Sequence, residues 1–430
     1  MNENGIFHKI KGDGIIWMVF FFLCAISIIE VFSSSSVITY KASYYWMPAL
    51  KHAAFLALGC ILMVCTMNIK CKYFKIVTPF ALLISFVLLV VVLVIGESTN
   101  GAQRWISVFG LQFQPSELAK GAVVLAVAQV LSAMQTENGA DRHAFKYIMW
   151  ITLPAMLLIG KENLSTAALL FVTVLLMMFI GRVPKGQLGR LLGLLAIIAV
   201  VGIAAIMYVG KGEEAAAPPL AEQTVVKEDA GGDAGKRETS PLSWFTHRMQ
   251  TWKSRMNSFL NNEKVPPEKF DLNENAQYGH SNIAIVSSNI IGKGPGNSTE
   301  RDFLPQAFSD FIYAIIIEEM GIVGAAFVCL LYIILLFRTA TIANRCVNTF
   351  PALLVMGIAL LLVTQAMFNM MVAVGLAPIT GQPLPLISKG GTSTIVNCIY
   401  IGVILSVSCS AKKRDEEPAP AVNKATRDEE

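Results

Sequence analysis

Residues 292–321, GKGPGNSTERDFLPQAFSDFIYAIIIEEMG, pass from a polar, glycine-rich loop into an apolar helix. Acids stand at the mouth of that helix, Asp310, and further down it, Glu318 and Glu319. An ionisable group where water meets hydrocarbon costs free energy and is a functional candidate by default. Asp310 reads equally as a helix cap, since Ser309 and Asp310 are both good N-cap types.

The rest of the chain decides what surrounds that helix. Of 430 residues, 54% are hydrophobic and 15% charged, and the mean hydropathy is +0.57. Many windows of about 20 residues carry no charge, the pattern of bilayer-spanning helices. The alternating ten-residue segments of a β-barrel are absent. The fold class is therefore an all-α polytopic membrane protein, with about ten transmembrane helices and one large extracytoplasmic loop. The expected spans are 16–35, 47–66, 76–96, 115–133, 146–160, 163–181, 190–209, 308–337, 352–374 and 388–409. The fifth and sixth are short and parted only by Lys161-Glu162-Asn163.

The net charge of +4 is spread over short loops, which speaks against a nucleic-acid partner. The eight cysteines fall in spans or in loops expected in the cytoplasm, so neither a disulfide framework nor a metal cluster is expected. The first apolar run is full length with no small-residue cleavage site after it, and reads as a span rather than a removed signal.

Loop charge sets the orientation. One set of loops holds Lys70, Lys72, Lys75, Arg142, Lys146, Arg182, Lys185, Arg190, Arg338 and Arg345, and the tail adds Lys412, Lys413 and Arg414. The other set holds Lys41, Arg104 and Lys389. Both termini are thus expected in the cytoplasm, in the inner membrane of a bacterium. The 210–307 connection and the Asp310 mouth face outward, where substrates must arrive already activated. Within that connection, 211–240 reads as a disordered linker. Residues 244–260 read as an amphipathic helix, on the membrane surface or against the protein's own core, from the spacing of Phe245, Met249, Trp252, Met256 and Phe259. The charged tail 411–430 is expected to be cytoplasmic and disordered.

Two further polar clusters border the same face. NGAQRWI (100–106) and QPSELAK (114–120) bring Arg104 and Trp105, then Glu117 and Lys120 three apart on one helix face. The last two read as a self-neutralising pair or as part of a site. Arg104 with Trp105 reads as an interface anchor or as a bidentate phosphate clamp. PITGQPLPLISKGGTS (378–393) breaks helix at membrane depth, which is tolerated only against protein or a water-filled cavity. Lys389, Gly390 and Gly391 there read as phosphate contacts or as a structural turn.

Taken together, these clusters resemble, in order and spacing, the shape, elongation, division and sporulation polymerases, the family containing FtsW and RodA. The resemblance covers nearly the whole chain outside 211–240 and the tail, and is greatest to the division branch. It implies ten spans and a peptidoglycan glycosyltransferase that polymerises lipid II during septal wall synthesis. It further implies a class B penicillin-binding transpeptidase and other divisome proteins as partners. The family's catalytic aspartate falls on Asp310, as general base on the acceptor 4-hydroxyl. Its upstream acid falls on Asp302, its paired glutamates on Glu318 and Glu319, and its arginine–tryptophan pair on Arg104 and Trp105. The chain departs from the family pattern at Pro305-Gln306-Ala307-Phe308-Ser309, at Asn163 for an acid, at Thr380 for a basic residue and at Lys389 for a tyrosine. The charge gathering on a leaving diphosphate would be met by Arg104 and Lys389 or by a divalent cation, Mg or Mn, for which no ligand cluster stands out. An elongation polymerase and a lipid II flippase are the alternatives.

Overall fold

The computed structural model describes residues 11–35, 46–99, 102–108, 111–137, 139–209, 276–304 and 307–416. The expected 211–240 linker and 244–260 helix lie outside the described residues. The helices are α1 (Gly14–Ser35), α2 (Met47–Met67), α3 (Cys71–Ile95), α4 (Pro115–Ala133), α5 (Arg142–Glu162), α6 (Leu164–Ile180) and α7 (Lys185–Val209). After the undescribed segment come α8 (Ala276–Ser287), α9 (Ile312–Arg345), α10 (Thr349–Ala373) and α11 (Thr392–Glu416). A helix stands at each expected span. Among the described residues, eight helices are long and apolar enough to cross a membrane, and α6 is a shorter apolar helix. The chain is a multi-pass, all-α membrane protein.

Burial sorts the helices into centre and rim. The apolar windows of α11, α10 and α4 are 78%, 72% and 61% buried, against 22% for α3 and 28% for α2. α3 exposes Leu83, Val87 and Val94, side chains that lipid would solvate. Polar side chains on the central helices therefore have protein, not lipid, as their surroundings, and must find partners there.

Several boundaries differ from the hydropathy reading. α9 begins at Ile312 rather than 308 and continues to Arg345, and α11 begins at Thr392 rather than 388. The stretches just before both helices are thus irregular backbone. α11 also runs to Glu416, past Ala411, where the tail was expected to be disordered. The short α5–α6 break is made by Asn163, which ends α5 and caps α6 by accepting from the Thr166 N–H at 3.2 Å.

Hydropathy gave no sign of strand, yet the loop after α3 folds as a three-stranded antiparallel sheet, β1 (Glu97–Thr99), β2 (Ala102–Val108) and β3 (Leu111–Phe113). β2 pairs Trp105 with Glu97 and Ile106 with Phe113. A second small hairpin, β4 (Gln135–Thr136) with β5 (Gly139–Ala140), follows α4.

α9 is broken at Gly321, with φ 71° and ψ −175°. A break interrupts the carbonyl ladder and leaves acceptors to be satisfied elsewhere. Here the Glu318 and Glu319 carbonyls accept from the Lys293 and Gly294 N–H groups at 2.9 and 2.8 Å. A Cβ on Gly321 would stand 2.3 Å from the Ile290 carbonyl oxygen, and one on Gly292 2.4 Å from Gly321 N. Two glycines thus let the loop and the helix break touch backbone to backbone.

Candidate functional site

Asp310 lies in the turn before α9, and its side chain does not cap the helix: Phe311 is the N-cap residue, with no side-chain cap. The cap reading of Asp310 is therefore set aside. Its Oδ1 accepts from Ser309 Oγ at 3.0 Å. Its Oδ2 faces Gly381, where an added Cβ would lie 3.4 Å from Oδ2 and 3.7 Å from Arg104 Nη1. A carboxylate and a guanidinium carried by segments far apart in sequence thus converge on one glycine. Asp310 and Arg104 are both partly exposed.

Arg104 reaches that position from β2. Strand side chains alternate between faces, so Trp105, next to Arg104 along β2, lies on the opposite face of the sheet. Arg104 also lines a small cavity of about 20 Å³ with Gln114, Pro115, Ser116 and Asn163, room for about one water. Asn163, where the family pattern has an acid, therefore sits one cavity away from the arginine.

α10 holds this arrangement from behind. Asn369 Nδ2 donates to the Asp310 carbonyl at 2.8 Å and to the Gln382 carbonyl at 2.7 Å. One turn earlier, Gln365 Nε2 donates to the Pro383 carbonyl at 3.0 Å. Gln382 Nε2 in turn donates to Thr166 Oγ1 on α6 at 2.8 Å. Two amides four apart on one helix face thus fix the Gln382 and Pro383 backbone, just after Gly381, as well as that of Asp310. These amides, which hold the backbone around the candidate site, were missed by the sequence reading. Their signal was present, a polar pair at i and i+4 in an otherwise apolar span.

Glu117 and Lys120 join this scaffold from α4. Their side chains are about 2% and 1% exposed, and Lys120 Nζ lies 2.8 Å from Glu117 Oε1. Lys120 also donates to Gln365 Oε1 at 2.7 Å, and Tyr400 OH donates to the Glu117 carbonyl at 2.5 Å. The pair sits inside the bundle and bears on Gly381 through Gln365 and Pro383.

Lys389 stands on the other side of the Asp310 loop. Its N–H donates to the Phe308 carbonyl at 3.0 Å, and its ammonium lies over the Phe308 ring, 4.7 Å from the centroid. Ser388 Oγ donates to the Ser309 carbonyl at 2.6 Å. Burial, and then the like charge of Lys51, hold the Lys389 ammonium below the usual lysine range. Gly390 accepts at its carbonyl from Ser393 N–H, and Thr392 Oγ1 donates to the Gln112 carbonyl at 2.8 Å, tying the start of α11 to β3. Lys51 and its neighbour His52, the latter buried and bonded to Ser27 Oγ at 2.7 Å, are further polar groups that the sequence reading passed over because they lie inside a span.

Glu318, Glu319 and Asp302 lie elsewhere. Glu318 accepts from Lys293 Nζ at 2.5 Å, from the Thr299 N–H at 3.1 Å and hydroxyl at 2.9 Å, from the Glu300 N–H at 3.3 Å and from Ser298 Oγ. Glu319 accepts from the Gly296 N–H at 3.0 Å, the Ser298 N–H at 3.3 Å and Ser33 Oγ on α1. Both are fully buried. They hold the 293–300 loop against α9 and α1. Asp302 is exposed and paired with Arg301 Nε at 3.3 Å, while Arg301 Nη1 reaches the Ser33 carbonyl and hydroxyl, each at 3.1 Å. Among the described residues, no group of three or more His, Cys, Asp or Glu side chains gathers as metal ligands.

The chain is similar to known proteins in sequence and fold. The chain is 29% identical over 359 residues to the peptidoglycan glycosyltransferase MrdB of Escherichia coli (strain K12), covering 83% of this chain and 84% of that protein. It is 29% identical over 394 residues to the probable peptidoglycan glycosyltransferase FtsW of Coxiella burnetii, covering 90% and 93%. Among solved structures, the fold resembles the rod shape determining protein RodA of Thermus thermophilus, with TM-score 0.60, 21% identity and coverage of 96% and 100%. It also resembles a chain from a peptidoglycan synthase complex that coordinates polymerization and crosslinking, with TM-score 0.66, 23% identity and coverage of 93% and 98%. The FtsW/RodA/SpoVE family, described as a cell cycle protein, matches residues 13–215 and 237–413. The chain belongs to this family.

Proposed function

We propose that this protein is a peptidoglycan glycosyltransferase that joins lipid II units into glycan, with Asp310 as its base. The observation that carries the reading is the convergence of Asp310 Oδ2 and Arg104 Nη1 on Gly381, in a family whose relatives bear that activity in their names. The excess of Lys and Arg on the far loops supports placing this end of the bundle outside the cytoplasm, both termini within it.

The 4-hydroxyl of the acceptor N-acetylglucosamine attacks the anomeric carbon of the donor N-acetylmuramic acid. The new bond is O4–C1, and the bond that breaks joins C1 to the diphosphate oxygen. An alcohol is a weak nucleophile, so a positioned carboxylate takes its proton as the bond forms, a contribution of typically 10²–10⁴. Asp310 does this and later releases the proton to solvent. Undecaprenyl diphosphate leaves with the bonding pair, and its growing charge is met by Arg104 and Lys389. The Glu117–Lys120–Gln365 chain and Asn369 act as positioning residues, holding Gly381 and the Asp310 backbone. The polyprenyl tails stay in the bilayer, so both substrates arrive sideways.

The motif clusters resemble the division branch most, and on that resemblance we assign the chain to septal synthesis with a transpeptidase partner. Purified protein supplied with lipid II in detergent tests the activity. Glycan of several repeats is the expected product. A flippase, having no membrane to cross, would return lipid II unchanged, and that outcome would remove the reading. Filamentous cells on depletion support the septal assignment, and round cells support elongation.

A further inference from the structure

The backbone that carries Lys389 is strained three residues before it. Leu386 has φ +67°, in the left-handed region. That state crowds the Cβ of any residue but glycine, and it persists only where the surroundings over-determine it. Here the carbonyls on either side of Leu386 are both held. Tyr332 OH on α9 donates to the Pro385 carbonyl, and Ser27 Oγ on α1 donates to the Ile387 carbonyl at 2.7 Å. Tyr332, Ser27 and Ile387 are fully buried.

Behind Ser27 stands His52 on α2, buried, with Nε2 2.7 Å from Ser27 Oγ. A hydroxyl has one hydrogen to give, and Ser27 gives its own to Ile387. Ser27 therefore accepts from His52, and Nε2 is the ring nitrogen that carries the hydrogen. The other nitrogen, Nδ1, has no hydrogen-bond partner among the described residues. The ring's one polar bond is thus spent on aiming the Ser27 hydroxyl at the Ile387 carbonyl. Lys389 and Asp310 are anchored separately. The Asp310 carbonyl is held from α10 by Asn369. Lys389 is tied to the Asp310 loop by its own N–H and by Ser388, and to α1 and α2 through Ile387. Without the tie at Ile387, Leu386 can relax toward an ordinary φ and carry Lys389 with it.

We propose that His52, acting through Ser27, is a positioning residue for Lys389, and sets the place of the ammonium that meets the leaving diphosphate. The inference rests on the glycosyltransferase reading and adds to it a residue buried in α2, on the far side of Ser27 from the loop it holds. His52 touches neither substrate nor the reacting atoms. Its effect passes along one path: Nε2 to Ser27 Oγ, Ser27 Oγ to the Ile387 carbonyl, and then along the strained backbone to Lys389.

The test uses the purified full chain in detergent, with lipid II turnover and backbone hydrogen exchange read on the same variants. In His52→Leu, exchange across 384–391 should quicken and kcat should fall roughly 10- to 100-fold, with KM close to wild type. His52→Gln, which offers an amide N–H at about the reach of Nε2, should recover most of both. Lys389→Met alone should lower kcat by roughly 10²-fold. Adding His52→Leu to it should lower kcat no further, because both changes act through one ammonium. Should His52→Leu fail to fold, Ser27→Ala is read in the same way. Unchanged exchange in the folded variant would overturn the clamp. Unchanged kcat, or two losses that multiply, would overturn its action through Lys389. Wild-type protein that makes no glycan would instead remove the glycosyltransferase reading, and the exchange would still decide the clamp.

Discussion

Two acidic centres share the stretch from Gly292 to Gly321, and they are built in opposite ways. Glu318 and Glu319 are fully buried, and each accepts several hydrogen bonds from the 293–300 loop or from α1. Asp310 is partly exposed, stands outside the helix, and turns one oxygen toward Arg104 across a glycine. A carboxylate saturated by donors of its own chain is an anchor, since any proton it took would break a bond that holds the loop. A carboxylate at a mouth beside a cation can face an incoming hydroxyl. Both centres are carboxylates, and their surroundings separate an anchor from the proposed base.

That contrast can be broken from the anchor side first, where the expected effect is greatest. Lys293→Met leaves Glu318 buried without its cation, and removing one member of such a pair costs roughly 3 kcal/mol or more. The thermal midpoint should fall steeply, and adding Glu318→Gln should recover part of the loss. A midpoint unchanged in the single variant would show that Glu318 is no anchor. On the reactive side, Arg104→Met should reduce lipid II turnover by roughly 10²–10³ with little change in midpoint, as expected when a group that stabilises developing charge is removed. A loss of stability with turnover intact would reverse the two roles.

Smaller effects sharpen the picture. Gly381 has φ +66°, a backbone state that costs a non-glycine residue about 1 kcal/mol. Gly381→Ala also puts a methyl between Asp310 Oδ2 and Arg104 Nη1, and turnover should drop by roughly tenfold, read as kcat rather than binding. The smallest effect concerns pH. Lys389 has its ammonium held below the usual range, so as pH rises its charge is lost earlier than that of an ordinary lysine. Arginine stays charged throughout. Lys389→Arg should therefore carry the alkaline limb of the pH profile upward. An unmoved limb would show that Lys389 does not assist the leaving group.

Much of this architecture was readable in the residues because bilayer spans are written in hydropathy. Every expected span has its helix, and the tight α5–α6 break fell where Lys161-Glu162-Asn163 placed it. What hydropathy does not encode is where helices end against irregular backbone. Asp310 and Lys389 looked like parts of spans and are instead on the loops that precede α9 and α11. The sheet carrying Arg104 was invisible because its outer strands are three residues each, too short to show an alternating pattern. The clusters that carry the site were found, but their internal division was not. Nothing in the order of residues says that Glu117 and Lys120 meet Gln365 inside the bundle, or that Glu318 meets Ser298. Gln365 and Asn369 were the detectable omission, two amides one turn apart where a lipid-facing helix would have none.

Polymerisation of lipid II by purified Asp310→Asn, beside the wild type in the same detergent and with thermal midpoints measured on both, bears most directly on the role of the carboxylate. The substitution keeps the size and polarity of the side chain and removes its basicity. Loss of glycan by 10²-fold or more at an unchanged midpoint is the predicted result. Glycan of normal length and yield from the asparagine variant would contradict it.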